Sequence, residues 1–224
     1  ITQFEIHANG AGQPIVLDGA ITAAVVRRDP PARDDALDRA IDRTLLRYLG
    51  APRGDRIYLT AKLHSDPVVQ QLARLEPPLG EVLDVACGRG QLSILLVELG
   101  LATRFTGLDW DRRKVEVCQV AAGEDGRAIV ADATRAELAP VDTVLIIDAL
   151  HYLAREERRA LLERAAAALR PGGRLVIREL DPKRGLRSRI AQWAERVGSR
   201  VGMNRGAVCE WVDPAALSAE VAAL

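Results

Sequence analysis

The 224-residue chain has few cysteines and few histidines, three of each. The cysteines are Cys87, Cys118 and Cys209; the histidines are His7, His64 and His151. An odd number of cysteines without zinc-ligand spacing argues against a disulfide framework and a zinc site. The histidines are far apart in sequence, so we predict no metal site. This cysteine usage is typical of a protein from a reducing cytoplasm.

An excess of charge of one sign is also absent, because 31 lysines and arginines balance 31 aspartates and glutamates. We therefore do not expect the broad cationic surface of a nucleic-acid-binding protein. No uninterrupted apolar run is long enough to cross a membrane, and residues 1–10 lack the pattern of a secretion signal. These absences predict a soluble, cytoplasmic protein with no membrane or nucleic-acid partner.

What the chain does contain is an alternation of two hydrophobic periods. Apolar β-type segments occur at residues 82–85, 104–108, 128–130, 143–147 and 174–177. Helical patterns with charged outer faces lie at residues 92–99, 112–122 and 155–169. This alternation predicts an α/β fold with a doubly wound, mostly parallel, Rossmann-like sheet.

Residues 1–78 have a different pattern, and we predict that they form an accessory region. Strand candidates at residues 4–8 and 15–17 are separated by glycines and favour a hairpin. A helix is expected to begin at Asp34 or Asp35 and to end at Gly50. We expect this region to act as a lid or as a homodimer contact, and residues 79–224 to form the main domain.

The most informative segment is residues 82–93, with the sequence VLDVACGRGQLS. An apolar strand ending near Asp84 leads into a turn with Gly88 and Gly90, and a helical pattern follows. Glycines allow a tight turn and a close approach of a ligand, and a helix N-terminus offers unpaired N–H groups. The segment therefore predicts a cradle for a nucleotide-type ligand.

The pattern Asp-x-Ala-Cys-Gly-x-Gly at residues 84–90 resembles motif I of the class I S-adenosylmethionine-dependent methyltransferases. Those enzymes usually have glycine where this chain has Ala86. The Leu-x-Pro-Gly-Gly segment at residues 169–173 is similar to the family's turn before its fifth strand. The resemblance covers residues 82–181 and implies S-adenosylmethionine as the cofactor and S-adenosylhomocysteine as the product. It also suggests a bacterial subgroup that methylates small molecules, with oxygen as the preferred acceptor atom.

The resemblance implies a cofactor site built from three strand ends. Its residues would be Asp84, Ala86, Cys87, Gly88 and Gly90 at the methionine portion, Asp109 and Trp110 at the ribose, and Asp132 and Ala133 at the adenine. Each of the later positions has a simpler alternative. Asp109 and Asp132 are also suited to capping a helix and a loop, and Trp110 to packing in the core.

The fourth strand leads into Asp148, Ala149, His151 and Tyr152. By resemblance, Asp148 and Ala149 would contact the methionine end of the cofactor, while His151 and Tyr152 would face the acceptor. His151 is the best candidate for a general base, because its ordinary pKa lies near neutrality. Packing is its alternative role, since methyl transfer requires mainly alignment and exclusion of water.

Three other functions remain open from the sequence. A methyltransferase acting on RNA or protein would need a basic rim around the crevice. A catalytically silent cofactor-binding subunit is suggested because no strand pair is evident after residue 178, where the family usually has two more strands. Either the chain is truncated, or the amino-terminal strands complete the sheet, or the fold departs from the family. An NAD-dependent dehydrogenase is disfavoured because Ser93 replaces the third glycine of its fingerprint.

Overall fold

The computed structural model describes residues 35–179, the backbone of two short amino-terminal strands, and the helical residues Leu217, Glu220 and Val221. The sequence also predicts a helix at residues 188–197 and a glycine-rich turn after it, and both lie outside the described residues. The chain divides into two compact units. Unit 1 contains Ile1–Val25 and Ile146–Leu224, and unit 2 contains Val26–Leu145. The division predicted at residue 78 stays a prediction.

The secondary structure alternates as the sequence predicts. In chain order the elements are β1 (Thr2–Ala8), β2 (Pro14–Ile15), α1 (Asp35–Leu46), α2 (Arg53–Ser65), α3 (Pro67–Leu72), β3 (Gly80–Val85), α4 (Gln91–Glu98), β4 (Ala102–Asp109), α5 (Arg112–Ala122), β5 (Gly126–Val130), β6 (Val141–Ile147), a 3₁₀ helix (Leu150–Tyr152), α6 (Arg155–Ala167) and β7 (Leu169–Glu179).

Unit 2 is built on parallel strands in the order β6-β3-β4-β5. Of β6 it contains only the first five residues. β3 pairs with β4 and β4 with β5, both in parallel, so that Val85 lies beside Leu108 and Asp109 beside Val130. Strands buried on both faces are expected to be continuously apolar, and residues 82–85 of β3 are all buried. The carboxyl ends of these strands therefore lie at one edge of the sheet.

Two of the helices that precede β3 are not evident from the sequence pattern. α1 begins at Asp35, as predicted, and buries Leu37 and Ile41. α2 and α3 follow it, and α3 starts with Pro67 after the N-cap Asp66, whose carboxylate accepts from the amide of Val68. The sequence of α2 carries many polar residues, so its hydrophobic period is weak.

In unit 1 the amino-terminal strands join the sheet beside β7. β1 runs antiparallel to β7, from Thr2 opposite Glu179 to His7 opposite Arg174, and β2 continues the hairpin beyond β1. On its other side β7 adjoins the end of β6, where the amide of Asp148 donates to the carbonyl oxygen of Arg178 at 2.8 Å. The amino-terminal strands thus extend the sheet, as one of the three alternatives predicted.

The predicted fold class is confirmed: the chain is an α/β protein with a mostly parallel, Rossmann-like sheet. One boundary differs, because β7 begins at Leu169 and includes the Pro171-Gly172-Gly173 segment that the sequence assigns to a turn. Among the described residues, no helix combines the length and the apolar character needed to cross a membrane.

Candidate functional site

The turn between β3 and α4, residues 86–90, is the centre of the site in unit 2. Ala86, Gly88 and Gly90 have φ angles of 61°, 58° and 74°, all in the left-handed region. Glycine adopts this region freely, whereas alanine does so at a cost of about 1 kcal/mol. A side chain at position 90 would also collide with the Sγ atom of Cys118. The turn is therefore tight, and Ala86 adopts the conformation for which the related motif uses glycine.

Backbone hydrogen bonds connect this turn to the sheet, but two amides at its α4 end make no such bond among the described residues. The amide of Cys87 donates to Leu108, and that of Gly90 donates to Cys87, at 3.0 and 2.9 Å. α4 begins at Gln91 without a side-chain cap. Within the described part of the chain, the amides of Arg89 and Gln91 have no hydrogen-bond acceptor. Such amides, together with the helix dipole, fit an anionic ligand group such as a carboxylate.

Asp109, at the end of β4, connects this strand to the turn. It is 6% exposed; its Oδ2 accepts from the amide of Gly88 at 2.8 Å, and its Oδ1 accepts from Asp111 at 2.9 Å. The cap of α5 is Asp111, whose carboxylate accepts from Arg113 and Lys114. Because each carboxylate oxygen accepts more than one hydrogen bond, Asp109 retains capacity for a pair of hydroxyl groups. Its ribose-binding role stays a prediction.

Asp84 lies at the end of β3, where it is 4% exposed. Burial raises the pKa of its carboxyl group to about 7; the hydroxyl of Ser93, which donates to Oδ2 at 2.6 Å, opposes this shift, and the charge of nearby Asp109 adds to it. Asp84 therefore joins β3 to α4 through Ser93. Ser93, which replaces the third glycine of the dehydrogenase fingerprint, thus has a structural role as the partner of Asp84.

The end of β5 brings Asp132 near Asp109, because the amide of Ala131 donates to the carbonyl oxygen of Asp109 at 3.0 Å. Asp132 uses Oδ1 to accept from both the amide and the hydroxyl of Thr134, at 2.9 and 2.7 Å. This is the loop cap that the sequence offered as its alternative role. Adenine recognition by Asp132 and Ala133 stays a prediction.

Trp110 follows Asp109 at the same strand end. It is 36% exposed and so is not the core aromatic that the sequence offered as an alternative. An exposed indole beside Asp109 is suited to stacking on a planar ligand. Its contact with adenine or ribose stays a prediction.

Unit 1 carries a second polar cluster, at the ends of β6 and β7. Asp148 has a φ angle of 54°, and its Oδ2 accepts from the NH1 group of Arg178 at 2.6 Å. Ala149 is 7% exposed and precedes the 3₁₀ helix. The predicted contacts of Asp148 and Ala149 with the cofactor remain predictions.

His151 is held by Glu179 from the end of β7. The imidazole Nδ1 lies 2.8 Å from Oε2 of Glu179, while Oε1 of the same carboxylate accepts from the amide of Leu150 at 2.6 Å. Because a carboxylate only accepts hydrogen bonds, this contact favours the tautomer in which Nδ1 carries the proton and Nε2 is the basic nitrogen. His151 is 1% exposed, and its ring centroid lies 4.1 Å from that of Tyr152. The sequence does not predict this pair, because its two residues belong to different strand ends.

The segment that carries the glycine turn matches a known family. Residues 82–173 match the family model described as a methyltransferase domain. The matched residues include motif I and the Leu-x-Pro-Gly-Gly segment, so the family model and the resemblance drawn from the sequence agree over this part of the chain.

Two curated relatives share part of this sequence. One is the ubiquinone biosynthesis O-methyltransferase of Xanthomonas axonopodis pv. citri (strain 306), 30% identical over 115 residues, or 49% of this chain and 46% of the relative. The other is phthiotriol/phenolphthiotriol dimycocerosates methyltransferase 1 of Mycobacterium ulcerans (strain Agy99), 32% identical over 122 residues, or 53% of this chain and 43% of the relative. The match thus spans less than half the length of each relative.

One solved structure supports the fold. The YcgJ protein from Bacillus subtilis superimposes with a TM-score of 0.53 at 17% identity, over 68% of this chain and 64% of that one. At this level of identity the similarity shows the fold alone.

Proposed function

We propose that the chain binds S-adenosylmethionine and transfers a methyl group to an oxygen atom of a small organic acceptor. The observation that carries the proposal is the glycine turn, whose left-handed residues leave the Arg89 and Gln91 amides available beside a carboxylate, Asp109, that is bonded to the turn. A ligand with a carboxylate at one end and a ribose diol beyond it suits this combination of donors and acceptors.

When bound, S-adenosylmethionine supplies an activated methyl group on its sulfonium. The amides at the start of α4 bind the carboxylate of its methionine portion, and Asp109 accepts hydrogen bonds from the ribose hydroxyls. Trp110 packs on the nucleoside, and Asp132 accepts from the adenine amino group. The residues of unit 2 thereby fix the position of the sulfonium, and alignment supplies most of what an in-line displacement requires.

We prefer an oxygen acceptor because His151 of unit 1, with Nδ1 facing Glu179, keeps Nε2 as a basic nitrogen. Glu179 holds the Nδ1–H of His151, and the basic Nε2 can take the proton that a hydroxyl group must lose on methylation. Glu179 also stabilises the imidazolium that results. The name of the Xanthomonas relative, an O-methyltransferase, supports the same acceptor atom.

The alternatives receive less support. The balanced charge of the chain gives no support to an RNA acceptor. The silent-subunit hypothesis depended on absent final strands, and β1 and β2 now extend the sheet beside β7. The dehydrogenase hypothesis requires a glycine where Ser93 binds Asp84.

Calorimetric titration of the purified chain with S-adenosylmethionine, S-adenosylhomocysteine and NAD tests the cofactor. We expect micromolar dissociation constants for the two sulfur compounds and no heat with NAD. Binding of NAD alone would overturn the proposal.

The acceptor atom is tested separately, by following release of S-adenosylhomocysteine with panels of small phenols, carboxylic acids, amines and thiols. Turnover with hydroxyl compounds and not with amines is the expected result. Turnover only with RNA or with a protein substrate would support the macromolecular alternative.

A further inference from the structure

Arg89, the residue between Gly88 and Gly90, is bound by α2, a helix that the sequence did not connect with the site. Its Nε donates to Oδ1 of Asp55 at 2.7 Å, and its NH2 group lies 2.5 Å from the same oxygen. The guanidinium carbon also lies 4.7 Å from the centre of the Tyr58 ring, as in a cation–π contact. One side chain of the turn is thus held by a carboxylate and an aromatic ring of one helix.

The Asp55 side chain is 7% exposed, which makes this ion pair unlike an ordinary surface pair. Its second oxygen, Oδ2, is buried without a hydrogen-bond partner in the part of the chain that the structure describes. Arg89 is therefore the group that compensates the buried charge. Loss of either partner is expected to change the position of the other.

The backbone of the same residue is held by a second contact. Tyr48, which is 2% exposed and follows α1, donates its hydroxyl to the carbonyl oxygen of Arg89 at 2.7 Å. The two contacts act on both the side chain and the peptide group of Arg89. They restrain the middle of a turn that has left-handed residues on either side and whose Arg89 amide is available to a ligand.

We propose that Asp55, Arg89 and Tyr48 are positioning residues that hold the glycine turn in the conformation that binds the cofactor. This inference rests on the proposed function and deepens it. It assigns α2 and the segment that follows α1 a role in cofactor affinity, in addition to the lid or dimer roles expected of residues 1–78. The three residues act through the backbone of the turn and need not touch the cofactor.

The test compares S-adenosylhomocysteine affinity in Asp55→Asn, which keeps the shape and removes the charge, with that in Arg43→Gln. Arg43 is the matched control, because its Nε lies 2.7 Å from Glu98 in an ion pair that joins α1 to α4 away from the turn. We expect Asp55→Asn to raise the dissociation constant about tenfold, as for a lost charged hydrogen bond, and Arg43→Gln to leave it within about twofold. Melting temperatures are measured on the same samples.

A spectroscopic signature separates positioning from stability. In two-dimensional amide spectra without ligand, the Gly88 and Gly90 peaks are expected to shift in Asp55→Asn and not in Arg43→Gln. If Asp55→Asn does not fold, Tyr48→Phe removes the second contact, and an increase of about threefold in the dissociation constant is expected.

A lower melting temperature with unchanged affinity and unchanged glycine peaks would overturn the proposal and leave a structural role only. Failure of the unmodified chain to bind S-adenosylhomocysteine would instead contradict the proposed function. The two failures are therefore distinguishable.

Discussion

Asp84 is a carboxyl group that folding places in a site unfavourable to its charge. Its pKa rises to about 7, mainly through burial, whereas an unfolded aspartate has a pKa of about 3.9. Below about pH 4 both states are protonated, and the full stability is present. Between about pH 4 and pH 7 the unfolded state releases the proton first, so the free energy of unfolding decreases as the pH rises.

We predict that Asp84→Asn removes this pH dependence. Urea unfolding at several pH values should show the difference between the original chain and the variant changing by up to about 3 kcal/mol between about pH 5 and pH 7. The asparagine carbonyl keeps the hydrogen bond from Ser93, so the effect reports the charge. Parallel stability curves for the two proteins would show that Asp84 titrates normally.

The pairing of His151 with Glu179 predicts a tautomer. Nitrogen-15 spectra of the histidine side chains should show His151 protonated at Nδ1, and exposed His64 provides an internal comparison. In Glu179→Gln one amide N–H must face either the Leu150 amide or the imidazole N–H, which costs about 1–3 kcal/mol of stability and favours the other tautomer. An Nε2-protonated His151 in the unmodified chain would exclude the base role.

Asp109 is the residue on which the cofactor assignment depends most. We predict that Asp109→Ala weakens S-adenosylhomocysteine binding by more than about tenfold, because charge-assisted hydrogen bonds contribute about 1.5–3 kcal/mol each. Isothermal titration measures the change, with S-adenosylmethionine as a second ligand. Unchanged affinity would contradict the ribose assignment.

At the scale of elements, α5 provides the matched test of that assignment. Its N-cap, Asp111, stands two residues after Asp109 and accepts from Arg113 and Lys114. We predict that Asp111→Ala lowers the free energy of unfolding by about 1 kcal/mol, the usual contribution of an N-cap, and leaves cofactor affinity unchanged. A loss of affinity equal to that of Asp109→Ala would mean that the whole strand end, and not Asp109 itself, determines binding.

Strong hydrophobic periods are what made the main elements predictable. α5 matches its predicted bounds, and β3 to β6 overlap the expected strands. Most apolar residues of β3, β4 and β6 are buried, whereas Ile129 and Val130 of β5 are exposed. α2 was not predicted, since Ile57, Tyr58 and Leu59 are consecutive and give no clear helical period. The partner of its buried Asp55, Arg89, is remote in sequence. The beginning of β7 was assigned to a turn because Pro-Gly-Gly is a turn signal, and pairing within the sheet overrides it.

The candidate site shows the same limit. Strand-end acids and the glycine turn were identified because their positions follow local sequence order. Partnerships such as Glu179 with His151 join residues 28 positions apart, and nothing local in the sequence specifies them. Sequence reasoning thus finds the groups that carry chemistry, while the groups that orient them depend on tertiary contacts.

At the scale of the whole molecule, one ladder joins residues that are remote in sequence: β1, which begins at Thr2, pairs with β7, which ends at Glu179. β1 covers the edge of β7 that lies opposite β6. Unpaired edges promote self-association, so β1 and β2 protect unit 1 as well as extend its sheet.

We predict that a chain starting at residue 16 loses this protection. Amides of β7 that donate to β1 should exchange hydrogen faster, and light scattering should detect self-association through the exposed edge. A synthetic peptide of residues 1–15, added to the shortened chain, should restore slow exchange by adding a strand to that edge. Unchanged exchange in β7 after the deletion would contradict the β1–β7 ladder, and the amides of β4, which lies in unit 2, provide the internal control.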